Sequence, residues 1–514
     1  MAGVHGAVAA GHHLASQAGL DVLKAGGNAV DAGIAACGVL SVVKPEACGL
    51  GGDFFMLFFD AKTRRVTALN ASGPAPALAT VERFPNGISS HGPRAVSVPG
   101  AVDGWSNAVA RFGTRSLGDL LAPAIAYADD GFPVSAYLAK VIRQHRDPLP
   151  SFAATFFPNG RPPEAFEVLR QPDLATTLRA IARDGRDAFY EGDVAHRLDA
   201  AFRADDGLLR LDDLARYRSE WREPLRVAYR GYDVYELPPV SVGAVVLETA
   251  NILEGFDLCA LDHEGADAIH LEVEAIKLAL ADRDRYFGDP AFVTIPLAEL
   301  LSKEHGARAR ATIDPRSVIP KVGASSFSGG SDTSYIAVVD GEGNAVSCIQ
   351  SIFHVWGSGW VAPGTGCVMN DRMAGFSLAP GHPNVLAPGK RTISTLNAVL
   401  VVRDDRVHWV FGTPGAAAQT PTNVQLLTRV VDHGLNPQLA IESPRWFSEG
   451  GAELRVESRI DDATIGELER RGHRITRVAA FDWLLGGAQM IHVNAHGVRE
   501  AGADPRREGY ALAY

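Results

Sequence analysis

Several common chemistries are missing from this chain. Its 514 residues contain only five cysteines, Cys37, Cys48, Cys259, Cys348 and Cys367, an odd number with no Cys-x-x-Cys pair. That excludes a disulfide framework or zinc ribbon and leaves buried thiols in a reducing compartment as the expectation. Basic charge is also short: 49 Lys and Arg stand against 60 Asp and Glu, a formal net charge of −11. Nucleic acid and anionic membranes, which need a basic face, are not expected partners. No run of 18 uncharged apolar residues exists, so no membrane-spanning helix is expected. The start, Met1 to His13, lacks a basic segment followed by an apolar core. It reads as a cytoplasmic protein, or a periplasmic one if a leader has been trimmed. The 16 histidines contain no His-Glu-x-x-His, so neither metal nor cofactor is expected. Gly357-Ser358-Gly359 lacks the strand–Ser–helix setting of a nucleophile elbow.

Apolar residues make up 46 %, enough for a sizeable core. Small-residue helices are expected over 14–24 and 29–43, the second stopping before Pro45. The glycine cluster Gly49 to Gly52 precedes the strand 54–59 instead of following one. Close backbone packing explains it better than a phosphate loop. Residues 148–172, rich in proline and aromatics, read as a long surface connection, and the charges Asp282 to Arg285 as a solvated helix end. Thr420, followed by Pro421, reads as a helix N-cap. Strand pairs in both halves with helices between them indicate an α+β layered protein without internal repeats.

The chain is organised around residues 324–352. A loop of serines and glycines meets a hairpin, with strands expected over 334–339 and 345–352 and a turn at Asp340-Gly341-Glu342-Gly343-Asn344. Closure about Glu342 puts Thr333 opposite Ser351, so two hydroxyls meet where loop becomes strand. If the Asp332–Thr333 bond were cut, Thr333 would gain an α-amine able to take its own Oγ proton. Acyl chemistry also needs oxyanion donors. Gly415 and Ala416 lie between a strand and a helix N-terminus, where free N–H groups cluster. Taken alone, each feature has a plainer reading, an ordinary hairpin pair and a simple turn.

The ordered motifs resemble the γ-glutamyltransferase family of N-terminal-nucleophile (Ntn) hydrolases. They include LKAGGNAVDAGIAA near the start, SVPGAVDGW (97–105), ALADRDRYFGDP (279–290), DTSYIAVVDGEGNAVS (332–347), GSGWVAPGTGCVMNDRM (357–373) and GTPGAAAQ (412–419). The resemblance implies a four-layer αββα sandwich, the Ntn-hydrolase fold, formed by self-cleavage between Asp332 and Thr333. Segments 1–332 and 333–514 would then be the large and small subunits of one intertwined domain. They would form a heterodimer, and a dimer of such heterodimers is a further option. Carried over, Thr333 is the nucleophile, Ser351 its positioning hydroxyl, Gly415 and Ala416 the oxyanion pair, and Ser394 and Thr395 the hydroxyls of the substrate pocket.

Departures from the family pattern bear on substrate. Ser72 stands where γ-glutamyl enzymes carry an arginine for the α-carboxylate. Gly375 stands where an acidic residue grips the α-amine, and Phe353 replaces a polar asparagine. Asn370 and Arg372 complete the candidate substrate residues, and Arg372 reads either as a carboxylate partner or as a structural ion pair. The resemblance therefore implies an autoprocessed amidohydrolase acting on a small, carboxylate-bearing amide through a threonyl acyl-enzyme. A true γ-glutamyltransferase or glutathione hydrolase with rerouted anchors is the alternative. An unprocessed binding protein on the same fold is the remote one.

Overall fold

A computed structural model describes residues 1–145, 148–320, 333–448 and 450–514. Asp332 and the serine–glycine loop before it fall outside the described residues.

Two seven-stranded sheets, antiparallel throughout, face each other. The first runs in the order 510–513, 7–10, 334–339, 345–351, 53–60, 65–71 and 220–222. The second runs 2–3, 499–503, 489–493, 406–412, 399–403, 232–236 and 225–229. Side chains alternate across strand 334–339 of the first sheet. Tyr335, Ala337 and Val339 enter the core between the sheets, with Leu400, Val410 and Ile491 opposite. Ile336 and Val338 face the helices 29–43, 101–112 and 117–130 on the other side. Both faces of this strand are buried, so its sequence is continuously apolar where a half-exposed strand would alternate. Helices 244–253 and 419–431 cover the outer face of the second sheet. The arrangement is the expected αββα sandwich.

The first sheet interleaves strands from before and after position 333. Strands 7–10 and 53–60 flank the hairpin 334–351 on either side. Asp340 closes that hairpin: its Oδ1 accepts from the N–H groups of Glu342 (3.0 Å) and Asn344 (2.9 Å).

Three local expectations are corrected. Residues 150–156 form a helix whose Phe152 and Phe156 are buried against Trp356, so the stretch is not merely a surface connection. The helix after Gly415 begins at Gln419, which places Thr420 inside it and not at its N-cap. The charge run at the end of helix 266–286 is mostly tied down: Arg283 is buried against Asp284, and Asp282 meets His305. Arginine's long stem allows such burial when its head is paired.

Candidate active site

The hairpin register is as the turn dictates. Ser334 pairs with Gln350 and Val339 with Ala345, which carries Thr333 opposite Ser351. Thr333 Oγ1 donates to Ser351 Oγ at 3.1 Å, and both residues are buried. Ser351 Oγ also accepts the N–H of Phe353 at 2.8 Å. That bond needs the chain to turn sharply after the strand, and Phe353 takes a positive φ of 85° to do so. Such a φ is costly for a bulky residue and is held by its surroundings.

On the other side of Ser351 lies strand 53–60, where Asp53 is the register partner of Ser351. Gly52 precedes it, and a Cβ there would collide with the Ser351 carbonyl. The glycine at position 52 thus allows close packing against strand 345–351. Thr333, Ser351 and Asp53 form a row across three neighbouring strands.

Arg372 reaches Asp53 from the loop 370–375. Its Nε donates to Asp53 Oδ2 at 2.8 Å, and its guanidinium lies 4.4 Å from the centre of the Phe353 ring. Arg372 is 1 % exposed, and among the described residues neither Nη1 nor Nη2 has a hydrogen-bond partner. Burial, the largest influence, pushes the Asp53 carboxyl above its ordinary range, and the charge and hydrogen bond of Arg372 pull it back. Reading the residues alone left Asp53 out. The available signal was a charge opening an otherwise uncharged strand, Phe54 to Phe59, since a buried charge needs a partner.

Asn370 is fully engaged. Its Nδ2 donates to the carbonyls of Gly51 (2.7 Å) and Ser97 (3.2 Å), and its Oδ1 accepts from the Ser97 and Arg372 N–H groups. It ties loop 370–375 to the glycine turn and offers no spare atom. Ser72 Oγ donates to Asn70 Oδ1 at 2.7 Å, and its carbonyl accepts from Arg391 Nε at 3.1 Å. Ser394 crosses Ser241 through backbone bonds to Val240 and Val242, and its Oγ accepts the Leu396 N–H at 3.3 Å. The Thr395 carbonyl accepts from Asn397 Nδ2 at 2.7 Å.

Strand 406–412 ends at Gly412, packed against the Tyr335 ring, so the turn that follows lies over the start of strand 334–339. Gly415 has a φ of 129° and Ala416 one of 52°. Among the described residues neither N–H donates a hydrogen bond, as an oxyanion hole requires. One apolar cluster gathers these segments: Phe353 and Ile393 belong to it, with Ala374 and Ala417 packed against it. The structure therefore sets Ser351 against Thr333 and Arg372 against Phe353, and it packs the chain neighbours of Ser394 and Ala416, Ile393 and Ala417, in the same apolar cluster as Phe353. Asn370 and Ser72 have their polar atoms already occupied.

The sequence model of the family described as gamma-glutamyltranspeptidase matches residues 15–514. The chain belongs to the gamma-glutamyltranspeptidase family. It is 40 % identical over 516 residues to the glutathione hydrolase-like YwrD proenzyme of Bacillus subtilis, covering 98 % of this chain and 97 % of that one. It is 37 % identical over 526 residues to the oxamate amidohydrolase proenzyme of Klebsiella pneumoniae, covering 99 % and 98 %. Among solved structures, a cephalosporin acylase from Bacillus halodurans superposes with a TM-score of 0.94 at 37 % identity, over 100 % of this chain and 96 % of that one. As a gamma-glutamyltranspeptidase family member with the Ntn-hydrolase fold, the chain is an enzyme.

Two other clusters carry metal-ligand residue types, His270–Glu274–His473 and Glu248–Asp282–His305. Neither includes any of the candidate site residues. Among the described residues no helix is long and apolar enough to cross a membrane.

Proposed function

We propose that this protein is an autoprocessed amide hydrolase whose nucleophile is Thr333, released by cleavage after Asp332. One observation carries the reading: a buried threonine hydroxyl heads the interior strand 334–339 and bonds to Ser351 Oγ at 3.1 Å. In the continuous chain the Thr333 nitrogen is an amide and cannot accept a proton. After cleavage it is an amine with an ordinary pKa of about 7.7–8.0. Thr333 Oγ then attacks the substrate carbonyl carbon while the amine takes the hydroxyl proton. The oxyanion is held by the N–H groups of Gly415 and Ala416. Collapse of the tetrahedral intermediate breaks the C–N bond, and the departing amine takes the proton. Water then attacks the acyl-enzyme by the same route and releases the acid. The two fragments stay together as a heterodimer because their strands share both sheets.

The acyl group is small and carries a carboxylate. Arg372 supports this, with a buried guanidinium whose two terminal nitrogens have no partner among the described residues. A carboxylate fits that fork bidentately. The names of relatives agree with a small amide, since oxamate itself pairs an amide with a carboxylate. A γ-glutamyl substrate is the second reading, because one close relative is named glutathione hydrolase-like. It is less favoured. Its zwitterionic head needs an anchor for the ammonium, and Gly375 offers none. A binding protein on an unprocessed chain is the third reading, and it leaves the Thr333–Ser351 pair without a use.

The test is a panel of short dicarboxylic monoamides against γ-glutamyl anilide, using processed enzyme. Turnover of the monoamides, lowered at least tenfold in kcat/KM by Arg372→Gln, is expected. Preference for the γ-glutamyl anilide would overturn the small-acid reading.

A further inference from the structure

The guanidinium of Arg372 is held in one orientation, and what holds it comes from the other side of the proposed cleavage point. Asp53 opens strand 53–60 and is fully buried. Its Oδ2 accepts from Arg372 Nε at 2.8 Å and its Oδ1 accepts the Gly73 N–H at 3.2 Å. A guanidinium has one edge that includes Nε and another made of its two terminal nitrogens. Asp53 takes a single bond at Nε and leaves the terminal edge untouched. The Phe353 ring, 4.4 Å away, restricts the plane. Phe353 is in turn fixed by its N–H bond to Ser351 Oγ, the hydroxyl that meets Thr333. The fork is thereby referenced to the nucleophile through one chain of contacts.

From this we infer that Asp53 is the positioning residue of the acyl-group subsite, presenting the terminal edge of Arg372 to the carboxylate of a short dicarboxylic monoamide. The inference rests on the reading of Arg372 given above. Three features support it. A buried guanidinium without a counter-charge is strongly disfavoured, so some acid is required to keep Arg372 in place. Asp53 supplies that charge through the edge the substrate does not need. The charge of Asp53 is already matched by the Arg372 guanidinium, which would repel a substrate ammonium, so this carboxylate is a poor substitute anchor for one. Finally, Asp53 lies two strands from Thr333, about 10 Å at ordinary strand spacing. That separation suits an acyl chain of a few carbons between scissile carbonyl and carboxylate.

The test uses two chromogenic anilides with the same short acyl chain, one ending in a carboxylate and the other in its methyl ester. The processed wild-type enzyme is expected to favour the carboxylate anilide through a lower KM. Asp53→Asn keeps the size of the side chain but cannot accept from both Arg372 and Gly73 while balancing the charge. It is expected to raise KM for the carboxylate anilide at least tenfold, with kcat and the ester twin changed less than threefold. Arg372→Gln should remove the preference, and the double variant should be no worse than Arg372→Gln alone. An Asp53→Asn enzyme that keeps the wild-type preference overturns the inference while the reading of Arg372 stands. Equal loss for both twins also overturns it, since that marks a structural role. Absence of any preference in the wild type overturns the Arg372 reading itself. Asp53→Ser repeats the measurement should the Asn variant fail to self-process. If neither variant yields the two fragments, Asp53 is a folding residue and the inference falls.

Discussion

In the proposed mechanism the base is the α-amine of Thr333, and this sets a pH dependence. The amine must be unprotonated to take the Oγ proton. Below its pKa of about 7.7–8.0, kcat/KM should therefore fall about tenfold per pH unit. A flat profile between pH 5 and pH 8 would contradict an amine base. Ser351→Ala removes the hydroxyl that meets Oγ1 at 3.1 Å. A lost hydrogen bond of about 1 kcal/mol corresponds to a roughly five- to tenfold drop in kcat, with KM little changed. Ala416 tests strain in the same way. Its φ of 52° is left-handed, which costs a residue with a Cβ about 1 kcal/mol relative to glycine. Ala416→Gly should thus be stabilising by up to about that amount in chemical denaturation. The pairing of Thr333 with Ser351 was legible from turn composition alone, because hairpin register follows from the turn. The partner of Asp53 was not legible, because Arg372 lies 319 positions away and only folding brings the two together.

At the scale of elements, three helices meet at an acidic cluster that includes none of the proposed site residues. Glu248 of helix 244–253 lies 3.2 Å from His305 Nε2, and Asp282 of helix 266–286 lies 3.0 Å from the same nitrogen. Burial, helped by Asp282, pushes Glu248 up to about 7 from an ordinary 4.5, with His305 pulling it down. His305 is raised, chiefly by its hydrogen bond to Glu248. For both groups the folded state holds the proton more tightly than the unfolded chain. Their contribution is complete at low pH and is lost as pH rises, for Glu248 between about 4.5 and 7. Urea denaturation should accordingly show wild type losing stability, on the order of 2 kcal/mol, between pH 5 and pH 8. Glu248→Gln should flatten that slope, and an unchanged slope in the variant would exclude the cluster as its source. Helix 266–286 was legible as a helix, but its burial was not: residues 268–277 are buried on every side, Glu272, Glu274 and Lys277 included. Helix 150–156 was not legible: its seven residues are too short for a periodic pattern, and burial against Trp356 decides its structure.

At the scale of the whole molecule, the consequence of the fold is that cleavage need not separate the halves. Strands 7–10, 53–60 and 65–71 share a sheet with 334–351 and 510–513, and the second sheet mixes 225–236 with 399–412. All three cores between the layers draw side chains from each half. A cut chain should therefore elute from a sizing column as one particle under native conditions and come apart only in denaturant. The layered architecture was readable because strand pairs and apolar helices alternate along the chain. Which strands meet was not, since the order of the first sheet joins the two ends of the molecule. The most direct measurement is the intact mass of the denatured protein, taken for wild type and for Thr333→Ala after the same incubation. The account predicts fragments of 332 and 182 residues from the wild type and one species of 514 residues from the variant. A wild-type chain that stays at full length, or a Thr333→Ala chain that is cut at the same bond, would contradict it.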